Sequence, residues 1–416
     1  MTSTGSLEKK KMISLGVERI AAFAVCVALL ASLQLNRSVM ACPFCDAPQL
    51  TMSEMIEQSD HLVLCEWVEG TRPTNDSAGS VDFKIISVGR SQDDLLKAEE
   101  TLTLPFYTSG EAGEQFALMG PGTDYLNWQP PTKVTEESWQ YLRDCPVPEK
   151  DPERREKRLA WFLQYLEHPE LLVSNDAYGE FAAAPYKIIR PLRGQMPREK
   201  LKEWVANEET PVTRIALYGM MLGLCGTKDD ASVLEKKIMT IDSDFRLGLE
   251  GIMSGYVMLT GEDGLQKLEE AKIRRETYTD SDGTEQKLPF SETYATVNTL
   301  RFMRKYEPDC VPPERLADSM YLLLDRPELS DLIIADLARW KDWSVQARLM
   351  TMFDAENFQI PSIKRAIVRY MLACEKSGKK NPEQYAAAAT AATENLMILE
   401  DKDARIFSDA KRFFIR

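Results

Sequence analysis

Histidine is almost missing from this 416-residue chain: there are two, His61 and His168. A Ser-His-Asp or Cys-His arrangement would have to use one of them, and they fall in segments of different texture. A protonated histidine at the end of a helix is an ordinary stabilising cap, which is the simpler role for His168. Walker A, G-x-S-x-G and H-E-x-x-H motifs are absent as well. No complete catalytic signature is therefore legible. Positive charge is the second scarcity, with 51 Lys and Arg against 65 Asp and Glu and a net charge of −14. Such a surface repels phosphate backbones, and no basic stripe offsets it, so nucleic acid is not an expected partner. Basic proteins, cationic ligands or divalent ions suit it better, and acidity also simply keeps a protein soluble. Long apolar runs are the third scarcity. The one candidate is "IAAFAVCVALLASLQL", residues 20–35, with Lys9, Lys10 and Lys11 before it and "SVMA" after it. It is shorter than the ~20 residues of a spanning helix. Positive head, short apolar middle and small residues before a cut make residues 1–41 an expected secretory signal, cleaved before Cys42. Its loss would take the formal charge from −14 to −17, since five basic and two acidic residues leave with it.

Cysteine is present, and its placement says more. Cys26 departs with the signal, leaving Cys42, Cys45, Cys65, Cys145, Cys225, Cys310 and Cys374. An oxidising compartment permits disulfides, and an odd number leaves at least one thiol free, shared with another chain or modified. Cys225 and Cys374 lie in apolar helical contexts, where cysteine behaves as a small buried hydrophobe. Cys42, Cys45, Cys65 and Cys145 are the disulfide or redox candidates. The first two form "CPFC". A redox Cys-x-x-Cys normally ends a strand and opens a helix, and no mature strand precedes this one. A c-type haem would need histidine where Asp46 stands. A zinc site would want a second pair, whereas Cys65 and Cys145 are single and distant. No metal and no cofactor is expected. A structural staple is the favoured reading, with a lipid anchor on Cys42 and a redox pair as alternatives.

Residues 42–133 read as β-rich. "TMSEMIEQSD" is a short helix with Thr51 and Glu54 as a capping box. "HLVLCEWVE" (61–69), "VDFKIISV" (81–88), "TLTLPFY" (101–107) and "QFALMG" (115–120) are short, β-branched and aromatic, with Gly, Asn, Asp and Ser between them. Pro105 makes the third an edge or bulged strand. The cysteine-rich start, the helix ending "QSD", the strand "HLVLCEWV" and the later "GEQFALMG" resemble the netrin-like, tissue-inhibitor-type OB domains. That resemblance covers about a fifth of the chain and implies a small antiparallel β-barrel that binds proteins. Members of that family begin Cys-x-Cys and some inhibit metalloproteases through that end. This chain begins Cys-Pro-Phe-Cys, so no inhibitory role is carried over.

From residue 134 the texture is helical, with Thr135 capping "EESWQYLRD". Segments such as "PVTRIALYGMMLGLCG" and "IPSIKRAIVRYMLACEK" follow, separated by Pro, Gly or Asp. "ALYGMMLGLCG" (216–226) aligns with "GIMSGYVMLTG" (251–261) at an offset of 35. Paired helices at such a period resemble HEAT-like α-solenoid repeats. The whole arrangement also resembles exported bacterial proteins that join a "CPFC" start to a helical repeat region. "YTDSDGTEQ" is oxygen-rich, but a calcium loop with Gly283 as its sixth residue would start at Tyr278 and end at Pro289, so it reads as a polar loop. Trp340 and Trp343, three apart and hence on one helical face, are either core or a ligand platform for sugars or cations.

The expectation is thus an α+β multidomain protein: signal 1–41, a netrin/OB-like barrel over 42–133 and a HEAT-like helical solenoid over 134–416. Its expected role is that of an exported, non-enzymatic interaction or scaffold protein whose partner is another protein or an envelope component. Membrane contact is expected only if Cys42 is lipidated. The alternatives are a thiol-disulfide oxidoreductase using Cys42 and Cys45, and a hydrolase or lyase using carboxylates of the helical region.

Overall fold

The computed structural model describes residues 42–45, 50–91, 96–120, 128–241, 246–280 and 282–414. The expected signal, residues 1–41, and Asp46 lie outside the described residues. The chain is a mixed α+β protein. Helix α1, Met52–Glu57, opens with the expected capping box: Glu54 N–H donates to Thr51 Oγ1, and Thr51 N–H donates to the Glu54 carboxylate at 3.0 Å.

Five strands follow: β1 His61–Thr71, β2 Ser80–Ser91, β3 Thr101–Leu104, β4 Gln115–Gly120 and β5 Thr132–Lys133. They form one antiparallel sheet in the order β3-β2-β1-β4-β5. The expected barrel is not closed among the described residues, and β3 and β5 are edges. The physical reason is strand length. Pro105 lacks the N–H that would extend β3, and β5 contributes two residues. Both faces of the sheet are buried. Leu62, Leu64, Ala117 and Met119 join the helical core, while Val63, Cys65, Phe83, Ile85, Leu104 and Leu118 form a separate core beneath Trp128. That double burial explains why "HLVLC" is a continuous apolar run and does not alternate.

Helices α2 Glu136–Asp144, α3 Pro152–Phe162, α4 Leu171–Ala183 and α5 Tyr186–Ile189 begin the helical region. The series continues with α6 Arg198–Ala206, α7 Val212–Cys225, α8 Ala231–Met239, α9 Leu249–Thr260 and α10 Glu262–Leu268. It ends with α11 Phe290–Tyr306, α12 Pro313–Leu323, α13 Pro327–Trp340, α14 Gln346–Asp354, α15 Pro361–Lys380, α16 Pro382–Lys402 and α17 Ala404–Phe414. Helices α4, α5, α16 and α17 add to those read from the sequence. Among the described residues, no helix is long and apolar enough to cross a membrane.

The helices pack on near neighbours in the chain. α7 lies on α9, α9 on α11, and α13 on α15, while α8 backs α9, α12 backs α13 and α14 backs α15. The aligned segments of the repeat are α7 and α9 themselves, and small residues let them touch. A Cβ on Gly255 would stand 2.0 Å from Gly219 O, and one on Gly251 2.1 Å from Ala216 O. Bonds between residues 35 apart recur down the chain: Thr135 to Glu170, Tyr141 to Asp176, Tyr178 to Thr213, and Arg301 to Asp336.

Candidate functional site

The cysteines of "CPFC" bond to each other, with Cα atoms 5.3 Å apart. Cys65 and Cys145 take no part and are free, buried thiols. Alternation along β1 turns Cys65 into the core on the sheet face away from the helices, where burial pushes its thiol up to about 12. Burial likewise raises Cys145. A reactive cysteine needs the opposite environment. The small Cys42–Cys45 loop is seated on the helices. Cys42 is 4% exposed and its N–H donates to Ala182 O at 3.0 Å, at the end of α4. Phe44 packs on Phe302 of α11, ring centroids 4.7 Å apart.

Helix α1 is held to the same body by two carboxylates of α4, four residues apart. Asp176 accepts from Met52 N–H at 2.6 Å and from the Tyr141 hydroxyl at 2.6 Å. Glu180 accepts from Ser53 at 2.5 Å and forms a two-pronged pair with Arg158 at 2.6 and 2.7 Å. Negative charge at the first turn of α1 complements its dipole. Burial raises the Asp176 carboxyl to about 6, against the pull of its two donors. Other buried carboxylates are also committed to cations: Glu292 to Arg246 and Lys272, Glu307 to Arg190, and Glu269 to Arg315. This is the use the structure makes of the carboxylates from which a hydrolase dyad would be drawn.

The histidines are placed apart. His61 is buried in β1 beside Trp128, and His168 lies between α3 and α4, where its Nδ1 accepts from Glu170 N–H at 3.2 Å. "YTDSDGTEQ" is a β-hairpin, β6 Thr277–Thr279 and β7 Glu285–Lys287. The Asp280 carboxylate closes its turn on Asp282 N–H, Thr284 N–H and the Gln286 side chain. Ser281 is outside the described residues. Among the described residues no three His, Cys, Asp or Glu side chains gather as a metal site.

The two tryptophans part company, and the expectation of one shared face is corrected. α13 ends at Trp340 because Lys341 turns left-handed, φ +57°. Trp343 is beyond the helix, 8% exposed, edge-on to Tyr370 with ring centroids 5.1 Å apart. Trp340 instead stays half-buried and lines a cleft of about 790 Å³ between the C-terminal ends of α11 and α13. Its other walls are Arg301, Arg304, Lys305, Asp336, Arg339 and Lys341.

Five cations therefore face one carboxylate in a protein of charge −14. Basic residues in a last helical turn complement the dipole, but each helix end carries only about half a negative charge. Two helix ends and Asp336 leave the cleft strongly positive. Its geometry is built around Asp336, whose side chain is 4% exposed. Asp336 accepts from Arg301 Nε at 2.7 Å and from Arg339 at 2.6 Å, which fixes two guanidiniums with one buried anion. Asn298 holds Arg301 from the other side at 2.9 Å. The Arg304 guanidinium lies over the Trp340 ring, 5.0 Å from its centroid. Arg304 and Lys341 form no ion pair among the described residues. Across α13, Arg339 also lines a second groove of about 490 Å³ with Arg365 and Arg369 of α15. Cations thus stand on α11, α13 and α15, with Asp331 of α13 the one carboxylate among the described residues that wall the second groove. Of this constellation the sequence singled out Trp340 alone. The clue to the rest was "LRFMRKYE" and "ARWKDW", two basic helix ends 35 residues apart in an acidic chain. Comparison with protein-family models, curated proteins and solved structures finds no match for the chain.

Proposed function

We propose that the protein is an exported, non-enzymatic interaction protein of the cell envelope, and that the cationic cleft around Trp340 holds an anionic group of its partner. The observation that carries this reading is the segregation of charge: five cations and an indole converge on one cleft of a chain with net charge −14. Positive potential in a cleft concentrates anionic ligands and speeds their encounter. On the same reading the helices from α2 onward form a HEAT-like solenoid, supported by the packed pairs α7–α9, α9–α11 and α13–α15 and the recurring 35-residue spacing. Solenoids present extended surfaces to partners. The open sheet, preceded by a cysteine-rich loop and α1, serves as a netrin/OB-like module. Export is supported by the signal-like start and by the Cys42–Cys45 bridge, since disulfides persist in oxidising compartments.

The test is sedimentation of the mature chain with envelope fragments of the source cell. Wild type should co-sediment at low salt and dissociate as salt rises. Arg304→Glu combined with Lys341→Glu should lower the bound fraction at least tenfold while its melting temperature stays within about 3 °C. Equal sedimentation of both proteins would remove the cleft from the function.

A further inference from the structure

Resting on that reading of the cleft, we infer that its ligand is a short acidic oligosaccharide, whose sugar rings carry carboxylate or sulfate groups. Charge alone would suit any anion, but the cleft is not made of charge alone. Trp340 lies among the cations, and an indole face is the apolar surface on which the C–H face of a sugar ring stacks. Arg304 now lies over that ring at 5.0 Å. Swinging aside, it would uncover the indole for a sugar and bring its guanidinium to that sugar's acid group. Arg fits carboxylate and sulfate with a planar fork of donors. Arg339 is 70% exposed at its side chain and already oriented by Asp336. It sits between the two grooves, so a second acid group has a prepared partner. Arg365 and Arg369 continue the row on α15.

The arrangement also bears on ligand length. Packed helix axes lie about 8–10 Å apart, as α13 and α15 do, so the row from Arg339 to Arg365 is already longer than one sugar ring. The five surrounding cations exclude a cationic ligand on Trp340.

The test is calorimetric titration of the mature chain at low salt. The probes are a tetragalacturonate, its methyl ester, a sulfated hexasaccharide, hexaglutamate and inorganic phosphate. The acidic sugars should bind, and the neutral ester should bind at least tenfold more weakly. Trp340→Ala and Arg304→Ala should each weaken acidic-sugar binding about tenfold, while Trp340→Phe keeps most of it. Hexaglutamate or phosphate binding as tightly as the sugars would overturn the inference, as would full affinity in Trp340→Ala. If no acidic sugar binds while envelope sedimentation still requires Arg304 and Lys341, the ligand class is wrong and the binding surface stands. If neither holds, both fall.

Discussion

Trp340 and Trp343 show what a single residue in the structure decides. Three residues apart on a helix means one face, but Lys341 adopts φ +57° and ends the helix between them. Trp343 then packs in the core and Trp340 faces the cleft. Trp343→Ala should cost about 3–5 kcal/mol, as large-to-small core changes do. Trp340→Ala, which removes a half-buried ring at the edge of that core, should cost less, about 1–2 kcal/mol. Denaturant melts of the two variants check this; equal losses would contradict the division. Asp176 gives a second residue-scale prediction. Burial raises its carboxyl from 3.8 to about 6, so the unfolded chain gives up that proton at lower pH than the folded one. The resulting stability is full below about pH 4 and is lost as pH rises through 6, about 3 kcal/mol in all. Asp176→Asn lacks the titration, so the variant should gain on wild type by about that amount between pH 4 and pH 7. A difference in unfolding free energy that does not change with pH would contradict it. The cations of the cleft were beyond local reading because Arg301 and Asp336 meet across two helices, 35 residues apart.

At the scale of elements, short-range chemistry was readable and pairing was not. The Thr51 and Glu54 box, the cap at Thr135 and four strand positions follow from local pattern. The barrel did not follow, because closure depends on edge strands finding each other, and β3 and β5 are too short to do so. The α7–α9 contact was half legible: the offset of 35 was visible, but its meaning lies in glycines that face each other. Gly255→Ala would place a methyl 2.0 Å from a backbone oxygen of α7. It should cost about 1–3 kcal/mol despite alanine's better helix propensity. Gly194→Ala meets nothing within 4 Å and is the matched control. Thermal melts that rank the two alike would contradict the close packing. The N-terminal staple is the other element. Closing a loop as small as Cys42–Cys45 removes roughly 2 kcal/mol of chain entropy from the unfolded state. Cys42→Ser with Cys45→Ser should lose about that much. A readily reduced bridge with no effect on stability would favour the redox alternative instead.

For the whole molecule the main features are a shared core and an uneven field. One face of the sheet and the helices bury the same cluster of side chains, so the β-rich and helical segments brace each other. The change of texture near residue 134 marks where strands give way to helices, and the sequence could not show that both pack together. Net charge was legible and its local reversal was not, because composition sums what the fold separates. The most direct test of the central claim is a matched charge comparison in envelope sedimentation. Arg304→Glu with Lys341→Glu is set against Lys228→Glu with Lys379→Glu, two exposed lysines that are not among the cleft walls. Both pairs change net charge equally. Loss of binding in the first pair, with binding retained in the second, is the predicted result. Equal loss in both, or none in either, would show that the cleft is not the working surface.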